Sequence, residues 1–239
     1  MSRQDVTEIT EQQVASWLFE FKLNGVIILR DFLPVDLIDA MNEQFQSFLS
    51  LEIEMERKGT PLSGRGDNRY AVNIGGRVGQ LGGPLNDPRA RRNPVIEMLV
   101  GRILGNWRYS NLIVETPCPG SGYMNWHGDL VRDDPMWHTL PKRTLQLKLQ
   151  IPLVDVTEES GPIEFIPGSH RMHYVEGTDA VDRLGNLFSV RLQMKRGDCF
   201  LRDGDLIHRG TPNRSARPRP LYSQSYKVIE PPAGTPARS

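Results

Sequence analysis

Apolar residues in the first part of the chain recur every three or four positions, which is the spacing of one helix face. Thr10 and Gln13 have the form of a capping box, and Gly25 supplies a stop, so a first helix is predicted between them. Its apolar face consists of Val14, Trp17, Leu18 and Phe21. The short apolar run Val26–Leu29 then predicts a strand.

Two further helices are predicted before position 106. The first spans residues 34 to about 57, where the apolar positions form a stripe typical of core packing. That stripe consists of Leu37, Ile38, Met41, Phe45, Phe48 and Leu49. Asn93 as an N-cap and Pro94 in the first turn begin the next helix, which we expect to end near Leu104 and Gly105.

Residues 59–92, between these helices, are rich in glycine and weakly periodic. Long loops in compact domains are often lids over a site, although a plain surface loop explains the pattern equally well. A lid could present polar groups to a substrate. The candidates are Arg65, Arg69, Tyr70, Asn73 and Arg77.

The pattern changes to strands after Trp107. Residues 109–115 form one predicted strand, and the leucines of 145–151 alternate with Gln146, Lys148 and Gln150 at a clean period of two. Residues 199–201 and 221–229 complete the visible set. Many short strands separated by Pro and Gly turns indicate a sandwich or barrel, with the jelly roll among the options.

Composition excludes several classes of protein. Basic and acidic residues both number 29, so no net field favours nucleic acid as a partner. No apolar run approaches the roughly 20 residues that span a bilayer, and no signal peptide is evident. We therefore expect a cytoplasmic protein without a membrane partner. Two cysteines make no disulfide framework, and Cys199 fits a small buried apolar position.

The candidate chemistry begins at His127-Gly128-Asp129. Residues two apart in an extended chain point to the same side, so His127 and Asp129 can bind one ion while Gly128 points away. His208 lies 208 − 127 = 81 residues later on a different predicted strand. Two imidazoles and one carboxylate form the facial triad of non-haem Fe(II) oxygenases. Structural zinc would instead require a closed Cys/His set, and magnesium would require oxygen ligands.

Two further segments flank the third ligand. GPIEFIPGSH occupies 161–170, and RGDCFLRDGDLIHRGTPNRS occupies 196–215. Together with the His127/Asp129 pair, from about 113 to 226, they resemble the phytanoyl-CoA dioxygenase (PhyH-like) family of Fe(II)/2-oxoglutarate-dependent oxygenases. The resemblance implies a mainly β fold with flanking α-helices and a double-stranded β-helix (jelly roll, cupin-like) core.

We expect a single domain over residues 1–239, because all-β barrels of this length are commonly single domains. Residues 1–105 would then be mostly helical support with the lid loop 59–92, and residues 106–230 would form the jelly-roll core. Residues 231–239 are expected to be a mobile tail.

By the same resemblance, His127, Asp129 and His208 are the metal ligands and the catalytic centre for Fe(II), 2-oxoglutarate and O2. Hydroxylation of a small-molecule substrate would release succinate and CO2. Arg219, eleven residues after His208, would bind the distal carboxylate of 2-oxoglutarate, with Arg217 as the second candidate. Some relatives place a serine two residues after this arginine, whereas this chain has Leu221.

Gln146 and Lys148 follow the first two ligands on a polar strand face. They could help to bind the cosubstrate, but a solvated strand face is the simpler interpretation. His170 is expected to be structural, and Trp126 and Trp137 are expected to pack. Tyr123 and Asn125 could lie near the site, and His138 and His173 are expected in loops.

Several alternatives stay open from the sequence. Asp129 argues against halogenation, because halogenating relatives replace the carboxylate with a small residue. Desaturation, epoxidation or cyclisation by the same cofactor remain possible outcomes, as do a cupin-like binding protein and a metal-dependent hydrolase or isomerase. Arg65, Arg69 and Arg77 hint at an anionic substrate. The substrate itself and the oligomeric state are not encoded in any recognisable motif.

Overall fold

The computed structural model describes residues 9–57, 66–76, 82–130, 143–172 and 179–229. The helices are α1 (Glu11–Asn24), α2 (Val35–Arg57), α3 (Pro88–Arg91), α4 (Pro94–Leu104) and α5 (Asp179–Phe188). The strands are β1 (Val26–Leu29), β2 (Arg69–Asn73), β3 (Trp107–Pro117), β4 (Gln146–Pro152), β5 (Ile163–Phe165), β6 (Val190–Leu192), β7 (Cys199–Asp203), β8 (His208–Gly210) and β9 (Leu221–Val228). Short 3-10 turns lie at Pro84–Asn86 and Ser169–Arg171.

Local capping chemistry starts α1 and α4. The Thr10 side chain accepts a hydrogen bond from Gln13 N at 3.2 Å, and Gln13 Oε1 accepts one from Thr10 N at 2.9 Å. Asn93 Oδ1 accepts from the first turn of α4. Gly25 ends α1 at φ 78°, and a Cβ there would lie 2.6 Å from the His170 ring, so glycine is required. The predicted helices and their ends are confirmed.

Two antiparallel sheets form the β core. The larger has the strand order β1-β7-β4-β9-β3-β2, and the smaller has the order β6-β5-β8. Neighbouring strands of the larger sheet come from distant parts of the sequence, as β7 beside β1 illustrates. This arrangement confirms the double-stranded β-helix with flanking helices.

The main apolar core lies between the helices and one face of the larger sheet. From α2 it receives Leu37, Ile38, Met41, Phe45 and Leu49, as the stripe predicted, while Phe48 is only partly buried. From the sheet it receives Ile27, Leu147, Leu149, Ile151 and Tyr222. Each such side chain contributes about 1.5–3 kcal/mol on burial. Packing against the helices on this face holds the larger sheet in position, and polar side chains can therefore occupy its opposite face.

The described part of 59–92 differs from the expected loop. Arg69–Asn73 is a strand, β2, which pairs with β3 from Arg69↔Pro117 to Asn73↔Ile113. Helix α3 and a 3-10 turn follow it. The five residues of β2 have too short a pattern to predict a strand from the sequence, and they form one because they pair with the edge of β3. Arg65 and Arg77 lie outside the described residues, as do Trp137, His138, His173 and the tail 231–239.

No helix among the described residues is long and apolar enough to cross a membrane. Cys118 and Cys199 are both buried free thiols. Cys199 lies inside β7 without any exposed surface, as expected for a small apolar position.

Candidate metal centre

The backbone brings the two candidate histidines side by side. His127 N donates to His208 O at 3.0 Å, and His208 N donates to His127 O at 2.9 Å. Directly opposed residues of antiparallel strands project to the same face. The two imidazole centroids are consequently 4.4 Å apart. Strand pairing, rather than proximity in sequence, therefore sets the spacing of these two side chains.

Both imidazoles are oriented by a backbone carbonyl two residues earlier. Nδ1 of His127 lies 2.8 Å from Asn125 O, and Nδ1 of His208 lies 2.8 Å from Leu206 O. A carbonyl oxygen only accepts, so these hydrogen bonds assign the proton to Nδ1 in each ring. Nε2 of each histidine then carries a lone pair directed away from its own strand, as a metal ligand requires.

Asp129 completes the group. Its backbone N–H donates to Gly204 O at 2.7 Å, which fixes it beside β7 and β8. One donor atom from each of His127, Asp129 and His208 lies within 4.8 Å of the other two. Two neutral nitrogens and one carboxylate on one side of an ion suit a divalent transition metal such as Fe(II). The donor set therefore fits the metal that the sequence suggests.

Cations surround the Asp129 carboxylate. Oδ2 lies 2.6 Å from Arg202 Nη2 and 3.2 Å from Lys148 Nζ, contacts that are ion pairs without aligned hydrogen-bond geometry. Burial would raise the pKa of Asp129, but the charges of Arg202 and Lys148 hold it well below its usual range. Burial and the Arg202 charge hold the pKa of His208 well below normal. An ionised carboxylate beside a neutral imidazole is the protonation state that binds metal.

A cavity that is open to solvent lies next to the triad, with about 490 Å³ of empty space that includes part of the solvent at its mouth. His127 and His208 form part of its wall, and four charged side chains from β2, β3, β7 and the turn before β9 also line it. These are Arg69, Glu115, Arg202 and Arg219. The cavity thus joins the metal-binding face to a strongly basic region.

Arg219 lies in this wall with its guanidinium buried. Its backbone N–H donates to Pro117 O at 3.1 Å, and its side chain is 4% exposed. Nε has no hydrogen-bond partner among the described residues. Burial, reinforced by the nearby charge of Arg69, lowers the pKa of Arg219 to about 10, so it remains a cation at neutral pH. A buried cation with an unsatisfied donor is suited to an anionic ligand.

Arg69 reaches the same cavity from β2. Its Nη2 donates to the backbone carbonyl of Thr211 at 2.6 Å and to that of Gly122. Burial lowers its pKa, and Glu115 partly offsets that effect. Nε of Arg69, like that of Arg219, lacks a partner among the described residues. Arg69, which was a candidate lid residue, is therefore held by hydrogen bonds as part of the cavity wall.

Arg217 lies elsewhere. The side chain is exposed, and its backbone carbonyl accepts from Asn213 Nδ2 at 2.8 Å in the turn before β9. It borders a separate groove that also includes Asp155 and Arg196. The prediction of Arg217 as the second candidate for binding the cosubstrate is therefore wrong, because Arg217 borders this groove and not the cavity beside the triad.

The solvated-face interpretation of Gln146 and Lys148 is wrong. Both are buried, because the smaller sheet and the 120s segment cover the face of β4 that the helices do not. Lys148 contacts Asp129 directly. Gln146 packs against Gly204, and a Cβ added to Gly204 would lie 3.0 Å from the Cβ of Gln146. Gln146 does not line the cavity.

The remaining candidates are structural neighbours. The His170 ring packs against Phe21 at 5.9 Å, and Trp126 is buried beneath the Arg209 guanidinium. Tyr123 is half exposed, and its hydroxyl accepts from Arg191 at 2.8 Å. Asn125 contributes its carbonyl to His127.

Arg202 and Gln150 are site residues that the sequence interpretation missed. Arg202 Nε donates to Gln150 Oε1 at 2.7 Å, and Gln150 Nε2 donates to Glu115 Oε2 and Ser223 Oγ, each at 2.9 Å. One signal was available, since Arg202 directly follows the apolar run Cys199-Phe200-Leu201 shortly before His208. A charged residue is rarely fully buried unless it is paired, so Arg202 in a buried strand predicts a nearby partner.

Comparison with known proteins gives a consistent result. A family model described as phytanoyl-CoA dioxygenase (PhyH) matches residues 21–221. The chain is 25% identical over 206 residues to dioxygenase aneA from Aspergillus aculeatus. That alignment covers 81% of this chain, and the chain spans 65% of the length of aneA.

Two solved structures show the same fold. The epimerase SnoN, crystallised with Fe3+, alpha ketoglutarate and nogalamycin RO, is 21% identical with a TM-score of 0.63, covering 92% of this chain and 85% of SnoN. EctD from S. alaskensis is 20% identical with a TM-score of 0.66, covering 95% of this chain and 80% of EctD. Residues 21–221, which the family model matches, contain every residue of the candidate metal centre.

Proposed function

Since the chain belongs to the phytanoyl-CoA dioxygenase (PhyH) family, we propose that it is an Fe(II)- and 2-oxoglutarate-dependent dioxygenase that hydroxylates a small molecule. Residues 1–239 would act as one oxygenase domain, with the jelly-roll core at 106–230. Bound iron together with 2-oxoglutarate and O2 would supply the oxidising chemistry and release succinate and CO2.

One observation carries the proposal. His127 and His208 of the candidate triad line the same cavity as the buried guanidinium of Arg219, whose Nε has no hydrogen-bond partner among the described residues. A 2-oxoacid with a second carboxylate has one chelating end and one anionic end, and this site offers a partner for each. The three ligands would hold Fe(II), and Arg219 would bind the distal carboxylate with Arg69 beside it.

The charge of the site supports a dianionic cosubstrate. The charged side chains that line the cavity or contact Asp129 comprise four cations and two carboxylates, so the sum is 4 − 2 = +2. A divalent metal would add to this positive charge. Such an excess in a buried region is costly unless an anion enters. A dicarboxylate would offset two of these positive charges, and this favours 2-oxoglutarate over a neutral ligand.

The outcome of the oxidation depends on how the substrate lies. SnoN is named an epimerase, and aneA is named a dioxygenase. Desaturation, epoxidation, cyclisation or epimerisation by the same site are therefore the alternatives to hydroxylation. A hydrolase or an isomerase that uses no 2-oxoglutarate, like a non-catalytic binding protein, would not need the buried Arg219 in the wall of the metal cavity.

A spectroscopic experiment tests the proposal. The purified protein is mixed anaerobically with Fe(II) and 2-oxoglutarate, and the visible difference spectrum is recorded. We expect a charge-transfer band that is lost in His208→Ala and strongly weakened in Arg219→Met. Arg217→Met is the matched control, because it removes an exposed guanidinium outside the cavity and should leave the band intact. A full band in His208→Ala, or equal losses in the two arginine variants, would contradict the assignment.

A further inference from the structure

Arg202 is among the most deeply buried charged residues described in this protein. Its side chain extends from β7 into the space between the sheets and is 1% exposed. Nε donates to Gln150 Oε1 at 2.7 Å, which fixes one edge of the guanidinium. The other edge carries Nη2 to within 2.6 Å of Asp129 Oδ2 and 3.2 Å of His208 Nε2. The planar group is thus held at both ends.

The two oxygens of Asp129 have different surroundings. Oδ2 faces two cations, Arg202 and Lys148. Oδ1 lies 3.9 Å from Nε2 of His208, on the side where the ligand atoms converge. An ordinary carboxylate can rotate and can offer one or both oxygens to a metal. Here the cations distinguish the oxygens, since Oδ2 is paired with positive charge that a metal ion would have to displace.

We propose that Arg202 is a positioning residue for the metal centre: with Lys148 it pairs with Oδ2 of Asp129, so that the carboxylate presents Oδ1 alone to the metal. The inference rests on the proposed metal centre. Gln150, which is itself bonded to Glu115 and Ser223, keeps Arg202 in place. A rigid fork is needed, because one group must reach Gln150 and Asp129 at the same time. Lysine, with a single nitrogen at its tip, cannot do so.

Positioning and simple charge effects predict opposite results. Removing Arg202 takes away a positive charge and the Nη2 contact with His208 Nε2, so metal binding should tighten if Arg202 acts only by competing with the ion. Removing a partner that orients a ligand should weaken metal binding, typically by 10-fold or more. The direction of the change in affinity therefore decides whether Arg202 acts through the orientation of Asp129.

The experiment measures Mn(II) affinity without cosubstrate, from the electron paramagnetic resonance signal of free Mn(II). We expect Arg202→Met to raise the Kd about tenfold. Arg219→Met is the matched control: it also removes a buried guanidinium from the cavity, but no contact joins Arg219 to Asp129, so its Kd should be unchanged or lower. Arg202→Lys keeps the charge without the fork, and its Kd should stay close to that of Arg202→Met.

Three outcomes are distinguishable. If the wild type binds Mn(II) no better than His208→Ala, the proposed metal centre itself fails. If the wild type binds Mn(II) and a folded Arg202→Met binds it equally well or more tightly, only the positioning role is overturned. If thermal melting shows that Arg202→Met is unfolded, Gln150→Met is the deciding variant. It retains the arginine at position 202 but removes the amide oxygen that holds the guanidinium in its position. Weaker Mn(II) binding in that variant supports the role, and an unchanged Kd overturns it.

Discussion

The two faces of β4 are buried to nearly the same extent and filled with opposite chemistry. Leu147, Leu149 and Ile151 face the helices at 0–1% exposure. Gln146, Lys148 and Gln150 face the smaller sheet at 1–6% exposure. The first face belongs to the main apolar core, and the second faces the candidate metal site. A single strand therefore separates the part of the molecule that holds the fold together from the part that could do chemistry.

The comparison of the two faces shows that burial alone does not tell whether a side chain stabilises the fold. An apolar side chain gains free energy wherever it is buried, but a buried amide or ammonium costs free energy unless it is paired. On the polar face the pairing is made, with Lys148 next to Asp129 and Glu115, and Gln150 bonded to Glu115 and Ser223. Hydrophobic residues of similar size would often be as stable there. The polar face is therefore better explained by ligand binding than by stability.

The largest expected effect on stability comes from the polar face. Asp129→Asn in metal-free protein removes the negative charge between two buried cations and should lower the free energy of unfolding by roughly 3–5 kcal/mol at pH 7. Because the pKa of Asp129 is held well below normal, its contribution is complete above about pH 4 and is lost as the pH falls through the folded-state pKa. Urea unfolding in a chelator at pH 7 and in acid measures this. Equal differences at both pH values would refute the ion-pair explanation.

A smaller effect is expected one residue away from Lys148 on the other face. Leu149→Ala should cost about 3 kcal/mol, because it leaves a cavity in the core between β4 and the helices. The loss should be the same at both pH values, and the Mn(II) affinity of the folded variant should match the wild type. A tenfold change in that affinity would show that the two faces are mechanically coupled.

The smallest effect is expected at Lys148 itself. Lys148→Met removes one of four cations that face only two carboxylates, so the charge balance improves as an ion pair is lost. Replacement of a buried ionic group by an apolar one of similar size is often neutral. We expect a change in unfolding free energy of less than about 1 kcal/mol, measured by the same urea titration. A loss as large as that of Asp129→Asn would mean that the pair, and not the charge balance, sets stability.

Local chemistry explains which elements could be predicted from the sequence. Thr10 and Asn93 cap their helices with atoms only two or three residues away, so their role is encoded in a few adjacent positions. The alternation in β4 identified a strand for the same reason. The family motifs then indicated the fold and the group His127, Asp129 and His208, which the structure brings together within 4.8 Å.

Long-range contacts explain what could not be predicted. Strand β2 forms because β3 offers it an edge, and β4 has no solvated face because the smaller sheet covers it. Arg202 meets Asp129 because the backbone of Asp129 is bonded to Gly204, which directly follows β7 but lies 204 − 129 = 75 residues away in the sequence. Arg217 and Arg219 have equivalent sequence surroundings, each beside a proline. The hydrogen bond from Arg219 N to Pro117 O places Arg219 at the cavity, whereas Arg217 stays in the turn before it.

The cross-strand pair His127–His208 also has a consequence for the order of events during folding. The pair closes a chain segment of 208 − 127 = 81 residues, and contacts of such length carry a large entropic cost and tend to form slowly. Helix α1 needs only its own capping box and can form within microseconds. Metal binding would therefore report on the closure of the barrel, because the ligands His127 and His208 meet only when this segment has closed.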